Sequence, residues 1–365
     1  MKERFEMKKY PLLFSVTISL SLALAACAPS PAASAAEQTL EALYLEQTVE
    51  ALTAPEEPAQ AEEPEIIEEP TATREIVHTI TPGEPGWVSQ WWLDTNSSST
   101  AAQKRANGGD DLSINLLERP FSAEAMDYRP DIDLIRVELS HNPTFYYFSL
   151  HLSGVNPATS TLSAHYGVEI DLDRDGRGDV LLWVAGDGNS EWNIAEVWVL
   201  QDENNDVGGP RPVLADAPGG GGNGFEKALF SPELLDDPDA AWKRVNPSDP
   251  TVMQLAIKRS LLGNAGAFFW RAWADDGVKD PGLFDYNDVF TLAQAGSPIS
   301  GQTNYPLKEL ALVDNTCRLA WGFEPDADAP GLCSVPQPTA TPVPPTQTPV
   351  PPTPTVTETP FPIIT

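Results

Sequence analysis

Between residues 75 and 335 several runs place apolar side chains at every second position, and no long amphipathic helical pattern intervenes. That alternation limits the fold more than any other feature, because a period of two sends successive side chains to opposite faces of a strand. Ile135, Val137 and Leu139 alternate with Arg136 and Glu138, and Tyr146, Phe148, Leu150 and Leu152 repeat the pattern. Ser140-His141-Asn142-Pro143 supplies turn chemistry between them, so the two runs predict a hairpin. Further strands are expected over 166–171, 180–184, 194–200, 225–230, 252–257 and 268–274, most of them separated by Gly, Pro, Asn and Asp clusters. With no helical crossovers between strands, the expected fold class is all-β, an antiparallel β-sandwich. The Trp87-Val-Ser-Gln-Trp91-Trp92 segment reads as a short helix or turn over one end.

Linkers flank this region. Residues 37–52 have helical spacing without Pro or Gly and read as a frayed helix in a tether. Residues 54–70 interleave glutamates with prolines, and both oppose compaction, so the tether 27–74 ends as an extended spacer. Residues 336–365 carry a near-duplication, PVPPTQT then PVPPTPT, of polyproline II composition. This tail resembles the Thr/Pro-rich linkers of bacterial surface proteins.

The chain has 53 acidic and 22 basic residues, a net charge of −31. Nucleic acid is excluded as a partner, since binding it needs clustered Lys and Arg to displace counterions. The one basic cluster is N-terminal: Lys2, Arg4, Lys8 and Lys9 precede an apolar run over 12–26 that is too short to span a bilayer. It ends in Leu24-Ala25-Ala26-Cys27, which resembles the lipobox of bacterial lipoproteins. The resemblance implies that residues 1–26 are a signal peptide and that Cys27 carries the lipid. The protein would then be exported and held to the outer face of the cell membrane, or to an outer membrane where there is one. Export would leave Cys317 and Cys333 as an even pair in an oxidising compartment. Neither has a histidine or a CxxC partner nearby, so they read as a disulfide.

Residues 171–179 carry the chemistry. Asp171, Asp173, Asp175 and Asp179 stand at positions 1, 3, 5 and 9 of a calcium-loop pattern, with Gly176 at position 6. Alternate carboxylates in a tightly coiled loop converge and would repel one another without a cation. Arg177, at position 7, offers only its backbone carbonyl. Oxygen donors without sulfur or imidazole select Ca²⁺ over transition metals. The loop resembles the DxDxDG loops of EF-hands, dockerins and many extracellular β-proteins, but Leu182 stands where an EF-hand has its bidentate Glu and the flanks read as strands. The expected cofactor is therefore a structural Ca²⁺ stapling a hairpin. The stretch from Asp202 to Gly208 is a degraded echo read as a plain turn, and the acidic segment from Asp275 to Asp288 is a loop able to lend a ligand.

Several enzyme chemistries lack their residues. His78, His141, His151 and His165 form no HExxH, there is no GxSxG elbow, and the glycine-rich 218–224 segment has no phosphate-loop lysine. Of the ten tryptophans, seven suggest roles. Trp183, Trp198, Trp270 and Trp273 fall in strands and suit the core, whereas Trp87, Trp91 and Trp92 are a candidate platform for stacking a sugar ring. The whole resembles the calcium-containing β-sandwiches of secreted carbohydrate-binding and adhesion modules. The expected function is non-catalytic binding of a glycan or envelope component. The alternative is a secreted hydrolase of glycoside hydrolase type using paired acids.

Overall fold

A computed structural model describes residues 76–111, 115–208, 224–234, 236–284, 289–326, 329 and 331–333. The expectations for the signal peptide 1–26, for Cys27, for the tether 27–74 and for the tail 336–365 fall outside the described residues.

The described residues form two antiparallel sheets packed face to face. The smaller has the order β1 (Val88–Leu93), β3 (Leu134–His141), β4 (Phe145–Leu152), β10 (Val252–Lys258) and β9 (Ala241–Val245). The larger runs β2 (Glu118–Arg119), β12 (Val313–Asn315), β11 (Phe268–Asp275), β5 (His165–Asp171), β6 (Val180–Ala185), β7 (Val197–Gln201) and β8 (Lys227–Phe230). A short strand, β13 (Leu319–Trp321), also pairs with β11. The all-β sandwich expected from the alternation is therefore present.

The β3–β4 hairpin forms where the sequence placed it. Its turn is made by Asn142, whose Oδ1 accepts the amides of Thr144 (2.8 Å) and Phe145 (2.7 Å). One detail differs. The register shifts between Leu134 and Arg136, so Ile135 sits in a bulge and Leu134 takes the buried place expected for it. β7 and β8 also begin later than expected, at Val197 and Lys227.

Val137, Leu139, Phe148, Leu150 and Leu255 of the smaller sheet meet Val168, Ile170, Leu182, Val184 and Trp270 of the larger. The larger sheet is also covered on its far face. Leu181, Trp183, Trp273 and Val313 pack there against Leu117, Phe225, Phe284 and Leu310. All eight residues of β11 are consequently buried, which explains why its sequence is a continuous apolar-rich run with no simple alternation. Trp183, Trp270 and Trp273 fill core space as expected, with Trp198 packed half-buried beside them.

Two strands contradict the sequence reading. Residues 88–93 form the edge strand β1, not a helix or turn, with Val88, Gln90 and Trp92 turned inward and Ser89, Trp91 and Leu93 outward. β9 was not expected, because its Ala-Trp-Lys-Arg-Val sequence carries two adjacent cations. Both cations are buried and satisfied. The ammonium of Lys243 donates to the Ala185 carbonyl and lies 3.3 Å from Asp187, while Arg244 donates to Gln254 (2.7 Å) and forks onto Glu84. β2, β12 and β13 are too short to show a period.

Cys317 and Cys333 are joined in a disulfide that closes a sequence separation of 16, with Cα atoms 5.0 Å apart. Cys333 lies against the inter-sheet core. Inside the loop, the Arg318 amide donates to the Gly331 carbonyl at 2.7 Å and the Cys333 amide to the Arg318 carbonyl at 2.9 Å. Constraining a loop of this length in the unfolded chain is worth about 3 kcal/mol. The Cys317→Ala/Cys333→Ala variant is expected to lose about that much unfolding free energy in a urea titration; an unchanged midpoint would contradict a stabilising bridge.

Candidate metal centre

The acidic loop closes the β5–β6 hairpin: Asp171 is the last residue of β5 and Val180 the first of β6. The loop is wound by its own carboxylates. Asp171 Oδ1 accepts the Arg174 amide at 2.6 Å, and its Oδ2 accepts the Gly176 amide at 3.0 Å. Asp173 Oδ1 takes the Asp175 amide (3.1 Å) and Asp175 Oδ1 the Arg177 amide (2.9 Å). Asp179 Oδ2 reaches back to the amides of Leu172 (2.5 Å) and Asp173 (3.3 Å). Gly176 has φ +99°, a conformation glycine adopts without a Cβ penalty, so the sequence pattern has a backbone cause.

One carboxylate oxygen from each of Asp171, Asp173 and Asp179 lies within 4.8 Å of the others. Oxygens bound to one Ca²⁺ at about 2.4 Å can be at most about 4.8 Å apart, so this trio fits a single ion. Asp175 is not in the trio; its Oδ2 accepts the Asn205 side-chain amide at 3.0 Å. Arg177 is half-buried and faces Gly208 across an isolated antiparallel bridge. Leu182 is fully buried in the inter-sheet core, so no ligand can come from position 12. Asp275 and Asp276 are not in the trio, and Asp285 and Asp288 lie outside the described residues. Asp275 caps the amides of Gly277, Val278 and Lys279, and Asp276 pairs with Arg129 and Lys279.

The loop rests on a buried charge cluster that the sequence did not reveal. Glu169, two residues before the loop, accepts Arg271 Nε (2.7 Å) and Trp273 Nε1 (3.0 Å) on Oε2, and Arg318 (3.1 Å) on Oε1. The other end of the Arg318 guanidinium donates to the Gly176 carbonyl and lies 3.8 Å from Asp171 Oδ2. The packing is close: a Cβ added to Gly178 would stand 2.8 Å from Glu169 Cγ. Burial alone would raise the Glu169 carboxyl, but the two guanidiniums outweigh it and hold the pKa lowered. At Asp171 burial dominates over Arg318 and the loop amides, and the pKa is raised to about 7.

The Asp202 stretch is wound like the first acidic loop. Asp202 Oδ1 accepts the Asn205 amide (2.7 Å) and Oδ2 the Val207 amide (2.8 Å), the same one-to-four and one-to-six contacts that Asp171 makes. Arg174 and Asn205, both at position 4, share a left-handed conformation at φ +67° and +62°. The two loops lie side by side, with the Gly178 amide on the Val207 carbonyl (3.2 Å) and the Asp202 amide on that of Asp179 (3.1 Å).

Trp87, Trp91 and Trp92 are not brought onto one surface. Trp92 turns inward against the core; Trp91 faces out beneath the Arg136 guanidinium, 5.0 Å from its ring centre, and Trp87 is 92% exposed. Away from the loop, Glu118, Asp133 and Asp314 also bring carboxylate oxygens within 4.8 Å of one another. No local motif announces them, because they come from three separate segments.

Arg318 therefore supports both Glu169 and the loop. Removing one partner of a buried ion pair costs about 3–5 kcal/mol, so Arg318→Ala is expected to lose that much stability in a urea titration. Lys227→Ala, which breaks the exposed pair with Glu203, should cost less than about 1 kcal/mol; equal losses in the two variants would contradict the assigned role. Compared with known proteins, the chain matches no family model, no curated protein and no solved structure.

Proposed function

We propose that this chain is an exported, lipid-anchored β-sandwich that binds Ca²⁺ in its 171–179 loop and acts by binding, not by catalysis. The observation that carries the proposal is the convergence of Asp171, Asp173 and Asp179 within 4.8 Å, in a loop whose amides already orient the carboxylates. Anchoring rests on the lipobox-like run ending at Cys27. The ion's role is structural: it ties the β5–β6 hairpin to the buried Glu169 cluster.

The partner we propose is a glycan or another envelope component, met beside the loop. A cleft of ≈ 500 Å³ opens there, lined by Asp173, Arg174, Phe269, Phe323, Glu324 and Asp326. The Arg174 guanidinium stands 4.7 Å over the Phe323 ring, which meets Phe269 edge-on at 5.0 Å. Aromatic walls with a few convergent polar groups suit a sugar ring and its hydroxyls. Because Trp92 turns inward and does not join Trp87 and Trp91 outside, the cleft is the better seat. A hydrolase would need two carboxyls flanking an open substrate site. One convergent group here closes on the centre of its own loop, and the other is enclosed between strands, so non-catalytic binding is the reading supported.

Calcium at a hundredfold excess over its Kd stabilises a single-site fold by about 2.7 kcal/mol. Thermal unfolding with and without Ca²⁺ should show Asp171→Asn/Asp173→Asn losing that share of the shift; a full shift in the variant would sink the loop assignment. Proton and metal compete at Asp171. Because its folded pKa is raised to about 7, calcium affinity should fall as the pH is lowered from 8 to 6, as read by titration calorimetry; an affinity constant across that range contradicts the assignment. A glycan array on the calcium-loaded protein tests the partner, with Phe323→Ala expected to abolish any signal.

A further inference from the structure

Glu118, Asp133 and Asp314 form a carboxylate group remote in sequence from the loop, and Asp94 stands beside it. Glu118 and Asp314 are cross-strand partners on β2 and β12 of the larger sheet. Asp133 immediately precedes β3, and Asp94 immediately follows β1, both of the smaller sheet. Asp314 pairs in register with Ala274, an inter-sheet core residue, so the group lies at the edge where the two sheets meet. Glu118, Asp133 and Asp314 are 4%, 0% and 0% exposed.

Each acid uses one oxygen for a neutral donor. Asp94 Oδ1 accepts the Thr95 amide (2.9 Å), Glu118 Oε1 the Ser97 hydroxyl (2.6 Å), and Asp314 Oδ2 the Leu134 amide (2.7 Å). Asp133 Oδ2 accepts the Ser97 amide (3.0 Å) and the Tyr128 hydroxyl. That leaves Asp94 Oδ2, Asp133 Oδ1 and Asp314 Oδ1 buried with no hydrogen-bond partner. Three such oxygens in one place are a large penalty, since the fold's other buried acids meet a cation or backbone amides. Nor does a cationic side chain answer them. Arg119, next to Glu118, gives its guanidinium to Asp110 (2.8 Å) and to the carbonyls of Ala295, Leu310 and Gly296. Arg129 is held by Asp131 and Asp276. Among the described residues, none of the four acids enters an ion pair with Lys or Arg.

We infer that Glu118, Asp133 and Asp314, with Asp94, form a second Ca²⁺ site that staples the two sheets together at this edge. The donors are all hard oxygens, and the 4.8 Å spread of Glu118, Asp133 and Asp314 matches ligands of one calcium ion. A cation here would satisfy the three orphaned oxygens at once and offset the mutual repulsion of the acids. That repulsion adds to burial in raising the carboxyls of Asp94, Glu118 and Asp314, and burial raises that of Asp133. The inference stands independently of the 171–179 loop.

Equilibrium dialysis of the full chain against ⁴⁵Ca²⁺ separates the two sites. Asp133→Asn/Asp314→Asn, which keeps side-chain shape while removing charge, should bind one ion fewer than the unmodified protein, and Asp171→Asn/Asp173→Asn should lose a different one. Asp94→Asn, at a less buried position, should weaken binding at the second site at least tenfold while leaving the fold intact by circular dichroism. The inference is overturned if Asp133→Asn/Asp314→Asn and Asp94→Asn bind calcium as the unmodified protein does, or if the loop variant binds none. Folding of the paired variant is checked in EDTA. There it should unfold no lower than the unmodified protein, since amides remove a repulsion that no ion then screens; a markedly lower Tm in EDTA contradicts an unneutralised acid group at this edge.

Discussion

The larger sheet is covered on both faces, and the charged side chains it carries therefore cannot rely on water. Glu169, Arg271, Arg318, Asp171, Glu118 and Asp314 are all nearly inaccessible. An unpaired ion in such a place is far more costly than an unpaired ion at the surface, so each is neutralised by a counter-charge or a proton, or held by hydrogen-bond donors. On the far face of the sheet the counter-charges are arginines: Glu169 lies between Arg271 and Arg318, and Arg119 holds Asp110. At the loop and at the edge between sheets, acids outnumber the cations near them. Both places bring three carboxylate oxygens within 4.8 Å of one another, a spacing that fits a divalent ion.

This arrangement gives the disulfide a role beyond restricting the unfolded chain. It closes the segment that presents Arg318, and Arg318 reaches both Glu169 and the Gly176 carbonyl inside the acidic loop. Bridge, guanidinium, buried glutamate and loop form one connected support. The cleft lined by Arg174 and Phe323 is built on that support, so a ligand there would meet a preformed surface.

Features whose physical cause is local were legible in the sequence. The β3–β4 hairpin announced itself by alternation and by an Asn at the turn, and the 171–179 loop by aspartates at alternate positions followed by a glycine. The cysteine pair was legible from the lipobox-like run ending at Cys27 and from the absence of competing ligands nearby. Features set by tertiary partners were not. β9 hid behind Lys243 and Arg244, whose burial depends on Asp187, Glu84 and Gln254 elsewhere in the chain. β1 hid because an edge strand leaves half its residues exposed, so its three neighbouring tryptophans suggested a platform where the backbone in fact turns Trp91 and Trp92 to opposite sides. The Glu118, Asp133 and Asp314 group had no local signal, because only the pairing of β2 with β12 and the approach of β3 bring it together.

A crystal structure of the protein grown in Ca²⁺, with anomalous differences measured at long wavelength, tests most directly whether metal replaces arginine where arginine is missing. One anomalous peak is expected among Asp171, Asp173 and Asp179, and another among Glu118, Asp133 and Asp314. Maps with no peak at either position, and with the carboxyls hydrogen-bonded to one another as neutral acids, would contradict it.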